Sequence, residues 1–183
     1  MATPRLHHQQ TAVLVVDMQE KLLPHMHNHG LLTEQVTRLL TGSNALGLPL
    51  LVTEQYPKGL GRTVPQLTGL LSGALCTHEK LKFSACTQPI RETLVRHGIR
   101  SVVVCGIEAH VCVLQSCLDL TDNGFLTAVA VDAIGSRRPI DQETAVTRMV
   151  QAHVLPTTVE SALLEIVHEA GSERFKAVLP VLR

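Results

Sequence analysis

The chain has 183 residues, 45% hydrophobic and 17% charged, which suits one domain over residues 1–183 with a single sizeable core and excludes a disordered chain. Lysine plus arginine equals aspartate plus glutamate at 16 each, and aromatics are only 2%, so neither a basic surface nor stacking rings point to nucleic acid, and no basic excess points to an anionic membrane. The five cysteines are odd in number and none has CxxC spacing, which argues against a disulfide framework or a Cys-rich zinc site. The start, MATPRLHHQQ, lacks the apolar stretch of a signal peptide, and no apolar run approaches membrane-spanning length. A cytoplasmic protein is expected.

In chain order, short apolar runs alternate with longer segments of helical period. Residues 12–16 (AVLVV) end in Asp17, and residues 48–52 (LPLLV) end in Thr53 and Glu54. Residues 101–105 (SVVVC) end at Gly106, residues 126–131 end in Asp132, and 154–158 form a weaker run. Continuous apolarity without alternation indicates strands covered on both faces. Between them, residues 31–46, 88–97, 111–122, 141–152 and 161–170 read as helices, several closed by a glycine. The alternation predicts a doubly wound α/β fold: a three-layer α/β/α sandwich around a mostly parallel sheet.

Ligand sites in such sheets lie at the carboxyl ends of the strands. That rule puts Asp17, the loop after Glu54, the Gly106-Ile107-Glu108 turn and Asp132 on one rim. Tyr56, the only tyrosine, falls in the loop TEQYPKGLGRT, whose composition suits a binding loop and a plain surface loop alike. Cys112 follows Gly106 by six residues at the start of a predicted helix. A helix N-terminus stabilises a thiolate and offers N–H groups to an oxyanion, so Cys112 is either a nucleophile of lowered pKa or one more buried thiol. Asp17 caps an otherwise apolar strand, as a functional carboxylate or as a helix cap. HEKLKFSAC, residues 78–86, offers Lys80 and Lys82, and spacing alone does not choose between them. Gln19 is placed to bind substrate or to make a structural hydrogen bond. The HMHNH stretch at 25–29 reads as a solvated histidine-rich loop. Asp132 reads as a carboxylate that organises a loop, and Cys86 as partly exposed.

DMQEKL from Asp17, KLKFSA from Lys80 and GIEAHVC ending at Cys112 together resemble the three signature segments of the isochorismatase-like cysteine hydrolases. TEQYPKGLGRTVPQL at 53–67 and VDAIGSRR at 131–138 resemble the branch that holds isochorismatase domain-containing protein 2 and YcaC. The resemblance implies a six-stranded sheet and a catalytic triad of Asp17, Lys80 and Cys112. It also implies an oxyanion hole from the backbone N–H groups of Glu108 and Cys112, with a cis peptide between Ile107 and Glu108. Gln19, Tyr56 and Ile107 are the expected substrate contacts. Nicotinamidase-type members carry an Asp-x-His-x-His metal motif after the second strand. TEQYPKGLG has no histidine there, so neither metal nor other cofactor is expected. The expected activity is hydrolysis of a small amide or related acyl substrate through a thioester, with a small molecule as ligand and a homo-oligomer, dimer or larger, as the assembly. The alternative is a non-catalytic binding or redox-sensing protein with a reactive thiol.

Overall fold

The computed structural model describes residues 3–182. Its strands are β1 (Thr11–Val16), β2 (Leu50–Gln55), β3 (Cys76–Lys80), β4 (Ser101–Ile107), β5 (Leu126–Gly135) and β6 (Leu155–Thr157). They form one all-parallel sheet in the order β3-β2-β1-β4-β5-β6. The main helices are α1 (His29–Ala45), α4 (Gln88–Arg96), α5 (Leu114–Asp122), α6 (Pro139–Gln151) and α7 (Val159–Val167). Shorter ones are α2 (Pro57–Leu60), α3 (Pro65–Thr68) and α8 (Glu173–Val178).

Strand pleating explains the two apolar layers. In β1, Val13 and Val15 point to the side of α1 and α7, where they meet Val36, Leu40 and Leu163. Ala12, Leu14 and Val16 point to the side of α4, α5 and α6, against Leu94, Leu120 and Met149. With both faces covered, a strand needs apolar residues at every position, and all six residues of β1 are buried. The helix α1 buries Leu32, Val36, Leu39 and Leu40, the i, i+4, i+7, i+8 stripe of a helix packed on a sheet.

Among the strands, β3, β2 and β5 depart from the sequence pattern at the end of the sheet that holds the site. β3 carries no apolar run: its sequence is CTHEK, and only alternate residues turn inward because it is an edge strand. β2 runs on through Thr53 and Glu54 to Gln55, so these polar residues belong to the strand end and not to a loop. β5 continues past Asp132 to Gly135, with a register irregularity against β4. Asp132 therefore sits inside β5, where its carboxylate accepts the Val159 N–H at 3.0 Å and so caps α7.

The strand order reverses between β1 and β4, and their pairing runs unbroken to the carboxyl ends. Gly106 pairs with Val16 and holds φ +113°, a conformation open to glycine and strained for other residues. A Cβ at this position would lie 2.1 Å from the Val16 carbonyl oxygen. Gly106→Ala is therefore expected to destabilise the fold by about 3 kcal/mol or more, read as a lowered urea midpoint with unchanged slope.

Candidate active site

The site begins with a problem of reach. Asp17 follows β1 and Lys80 ends β3, with β2 between them, so their backbones stand about 9–10 Å apart in the hydrogen-bonding direction. A lysine is long enough to cross that gap. Lys80 Nζ donates to Asp17 Oδ2 at 2.6 Å, and both side chains are essentially inaccessible, at 1% and 0% exposure. The remaining ammonium protons are directed to Gln55 Oε1 at 2.8 Å and to the Phe83 carbonyl at 2.9 Å, with the Lys82 carbonyl at 3.3 Å. The other Asp17 oxygen accepts from Thr53 Oγ1 at 2.7 Å. Each charge is thus paired and hydrogen-bonded, the condition for keeping ions out of water. Lys82 is exposed, and its carbonyl, not its ammonium, faces this cluster.

Cys112 reaches the pair from the other side of the switch point. After β4 the peptide between Ile107 and Glu108 is cis, and residues Ala109–Val113 form a π-type turn before α5. Cys112 lies inside this turn and not at the first turn of the α-helix, and it is 6% exposed. Its carbonyl accepts from Ser116 Oγ at 2.5 Å, and the same hydroxyl accepts the Ala85 N–H at 2.7 Å. One buried serine therefore ties the segment after Lys80 to the cysteine turn.

The electrostatics correct the expectation of a lowered thiol pKa. Burial first, and the Asp17 carboxylate after it, push the Cys112 thiol up to about 12, with Lys80 only partly opposing them. The thiol is neutral in this state. Desolvation outweighs the favourable helix-end position that the sequence pattern suggested.

Glu108 turns those of its polar groups that have partners away from the thiol. Its carboxylate is gripped by Arg137 through two bonds of 2.8 and 3.0 Å, and its carbonyl accepts the N–H groups of Val111 and Val113. His110 turns to Ser136, with Nδ1 at 2.9 Å from the hydroxyl, and not toward Cys112.

Two of the expected substrate contacts are placed elsewhere. Gln19 is fully buried; its Nε2 donates to the Gln55 and Gly61 carbonyls, and its Oε1 accepts the Gln55 N–H. Its amide is spent on holding the 55–61 segment. The Ile107 side chain is fully buried among the apolar residues on the α1 side of the sheet, so only its backbone belongs to the rim. Tyr56 does stand on the rim, half exposed, with its ring over Gly59 and its N–H donated to the Lys80 carbonyl. Cys86 is buried, at 5% exposure, and not partly exposed. His25, His27 and His29 are all exposed, and among the described residues no group of three or more His, Cys, Asp or Glu side chains is placed to hold a metal ion. Cys105 and Cys117 lie in the core, and all five cysteines are free thiols.

Gln55, Thr53, Ser116 and Arg137 are the contributors that the sequence pattern did not single out. Lys80→Met would leave Asp17 buried beside a missing cation, and a loss of about 3–5 kcal/mol is expected. The double variant Asp17→Leu with Lys80→Met is expected to regain much of that stability, as read from urea unfolding of the three proteins.

The isochorismatase domain model matches residues 11–161. Isochorismatase domain-containing protein 1 of Danio rerio is 38% identical over 168 residues, 91% of this chain and 59% of that protein. The chain thus spans about three-fifths of that relative's length. Isochorismatase domain-containing protein 2 of Danio rerio is 35% identical over 97% of this chain and 89% of its own. Among solved structures, the MAR1 ribonuclease of Caenorhabditis elegans superposes with a TM-score of 0.93 at 37% identity, covering 98% of this chain and 92% of that one. YcaC of Escherichia coli, described as an octameric hydrolase of unknown specificity, shares the fold at a TM-score of 0.87 and 24% identity, over 92% of this chain and 85% of that one. With the strand order, the three signature segments and the domain match in agreement, the chain belongs to the isochorismatase family.

Proposed function

We propose that the protein is a cysteine hydrolase of a small amide or related acyl compound, with Cys112 as nucleophile, Asp17 as proton acceptor and Lys80 as a fixed cation. The observation that carries this reading is a buried, fully hydrogen-bonded Asp17–Lys80 pair at the sheet's switch point, with the Cys112 thiol close enough for both partners to act on it. A family of hydrolases supports it.

In the first step the S–H bond breaks and its proton passes to Asp17, while sulfur bonds to the substrate carbonyl carbon. The carbonyl electrons move onto oxygen, which the Glu108 and Cys112 backbone N–H groups receive. Collapse breaks the C–N bond, and the Asp17 proton leaves with the amine. Water then attacks the thioester with Asp17 again as base, releasing the acid and restoring the thiol. None of these steps calls for a cofactor. Because burial, and Asp17 after it, raise the thiol pKa, attack and proton transfer are coupled, and the thiolate does not accumulate beforehand.

A neutral resting thiol also weighs against the redox-sensor alternative, since sensors depend on thiolate character. The MAR1 ribonuclease makes RNA the competing substrate class. The zero net charge and scarce aromatics disfavour it, and RNA belongs in the same screen as small amides. A homo-oligomer is part of the proposal. Leu81 and Phe83 leave apolar surface exposed just after Lys80, and sedimentation is expected to give at least a dimer mass.

The test combines turnover with labelling. An amide screen is expected to yield a substrate whose acyl group is trapped on Cys112 by acid quench. Cys112→Ala is expected to lose at least about a thousandfold in turnover. Iodoacetamide labelling of Cys112, followed by peptide mass spectrometry, is expected to be slow at neutral pH and to climb through the alkaline range. Asp17→Asn removes the charge that raises the thiol pKa, so labelling at neutral pH speeds up while turnover is lost. Full activity of Cys112→Ala sinks the proposal.

A further inference from the structure

Every polar group of Gln55 has a partner, and both side-chain groups are directed at Lys80 and the residue after it. Its backbone N–H and carbonyl are held by Gln19, at 2.7 and 3.0 Å. Its side-chain Nε2 donates to the Leu81 carbonyl at 2.9 Å, which leaves Oε1 as the atom facing the ammonium, at 2.8 Å. The Leu81 contact thus fixes the amide's orientation, because a flipped amide would set its NH2 against the ammonium and its oxygen against a carbonyl. Gln19 carries the same chain outward, donating to the Gly61 carbonyl at 2.6 Å. A continuous hydrogen-bonded line therefore runs from the 57–63 segment through Gln19 and Gln55 to Lys80, Asp17 and Thr53.

We infer that Gln55 is a positioning residue: a neutral acceptor that fixes the Lys80 ammonium against Asp17 and thereby sets the net charge that Cys112 experiences. The inference rests on the proposed role of Cys112 and Lys80. Neutrality is the point. An acceptor is needed to occupy one ammonium proton. A carboxylate in the same place would compete with Asp17 for the cation, face the Leu81 carbonyl unfavourably and add a second negative charge beside the thiol. A side chain with no acceptor would leave one buried N–H unmet.

The charged groups acting on Cys112 are Asp17, after β1, and Lys80, from β3. On the cysteine's own turn, Glu108 is occupied by Arg137 and His110 faces Ser136. The carboxylate of Glu54, next to Gln55, is turned to Arg62 and to Thr63, and burial opposes but does not outweigh the hydrogen bonds that hold its pKa below the usual carboxylate value. A charge change at Gln55 is thus read by the thiol through Lys80 and Asp17.

The experiment measures the pH–rate profile of iodoacetamide labelling at Cys112 in the full chain, for wild type, Gln55→Glu, Gln55→Met and Glu54→Gln. Gln55→Glu is close in shape and adds negative charge, so its profile is expected to move up by about one pH unit or more. Gln55→Met is similar in length and removes the partial negative charge at the ammonium, so its profile is expected to move down. Glu54→Gln loosens the same segment without touching the ammonium, and its profile stays with wild type. Opposite shifts for Glu and Met separate charge from mere loosening, which moves all three variants the same way. If both Gln55 variants shift together, or neither shifts while wild-type Cys112 labels normally, the inference is overturned and the nucleophile reading stands. If wild-type Cys112 fails to label at any pH, the nucleophile reading fails, and this inference goes with it.

Discussion

The buried Asp17–Lys80 pair is the constraint around which the carboxyl end of the sheet is arranged. Two opposite charges at 2.6 Å with almost no solvent exposure are tolerable only when every remaining valence is met. Meeting them recruits Thr53 from β2, Gln55 from the end of the same strand, and the carbonyls of the turn after β3. Three adjacent strands are therefore locked in register at one level by a single ammonium. The need to span β2 also explains the residue type: a shorter cation could not leave an edge strand and reach a carboxylate two strands away.

The turn at the end of β4 answers a different demand. Here the chain must bring a thiol to the charge pair from across the switch point without filling the space between them. Gly106 lets β4 approach β1 until no Cβ would fit, and the π-type turn then carries Cys112 back over the strand ends before α5 begins. Ser116 and Arg137 hold this turn from opposite sides, one through the Cys112 carbonyl and the other through the Glu108 carboxylate. The Arg137 side of its contact is largely exposed and contributes orientation more than stability, whereas Ser116 is fully buried and joins the segment after Lys80 to the cysteine turn.

What the sequence discloses follows from how each feature is encoded. β1, β4 and the first part of β5 are visible because burial on two faces demands unbroken apolar runs. β3 is invisible because an edge strand covers only alternate positions and spends its last one on lysine. The three residues of the proposed triad are visible because motif order survives in the sequence. Gln55 is not, because a glutamine in TEQYPKG carries no periodic or chemical signal until the fold sets it beside Lys80. The thiol's protonation state was equally hidden. A helix-end position favours a thiolate, but burial and the neighbouring carboxylate are tertiary properties, and together they reverse the sign.

That reversal has a consequence for how such a site could discriminate. A thiolate formed in advance reacts with any accessible electrophile, whereas a neutral thiol beside a paired carboxylate needs an acceptor for charge at the moment its proton moves. In the resting cluster the carboxylate and ammonium offset each other's charge, and the neutral thiol adds none. Under the proposed reading, when the proton passes to Asp17, negative charge appears on sulfur and then on the substrate oxygen, with Lys80 as the cation that acts on the thiol. The energy of that redistribution falls only if the oxygen arrives where the Glu108 and Cys112 N–H groups can meet it. Under the proposed reading, reactivity is therefore conditional on the carbonyl being correctly seated. The burial that makes Cys112 a poor free nucleophile is then the same feature that would confine it to a seated acyl group.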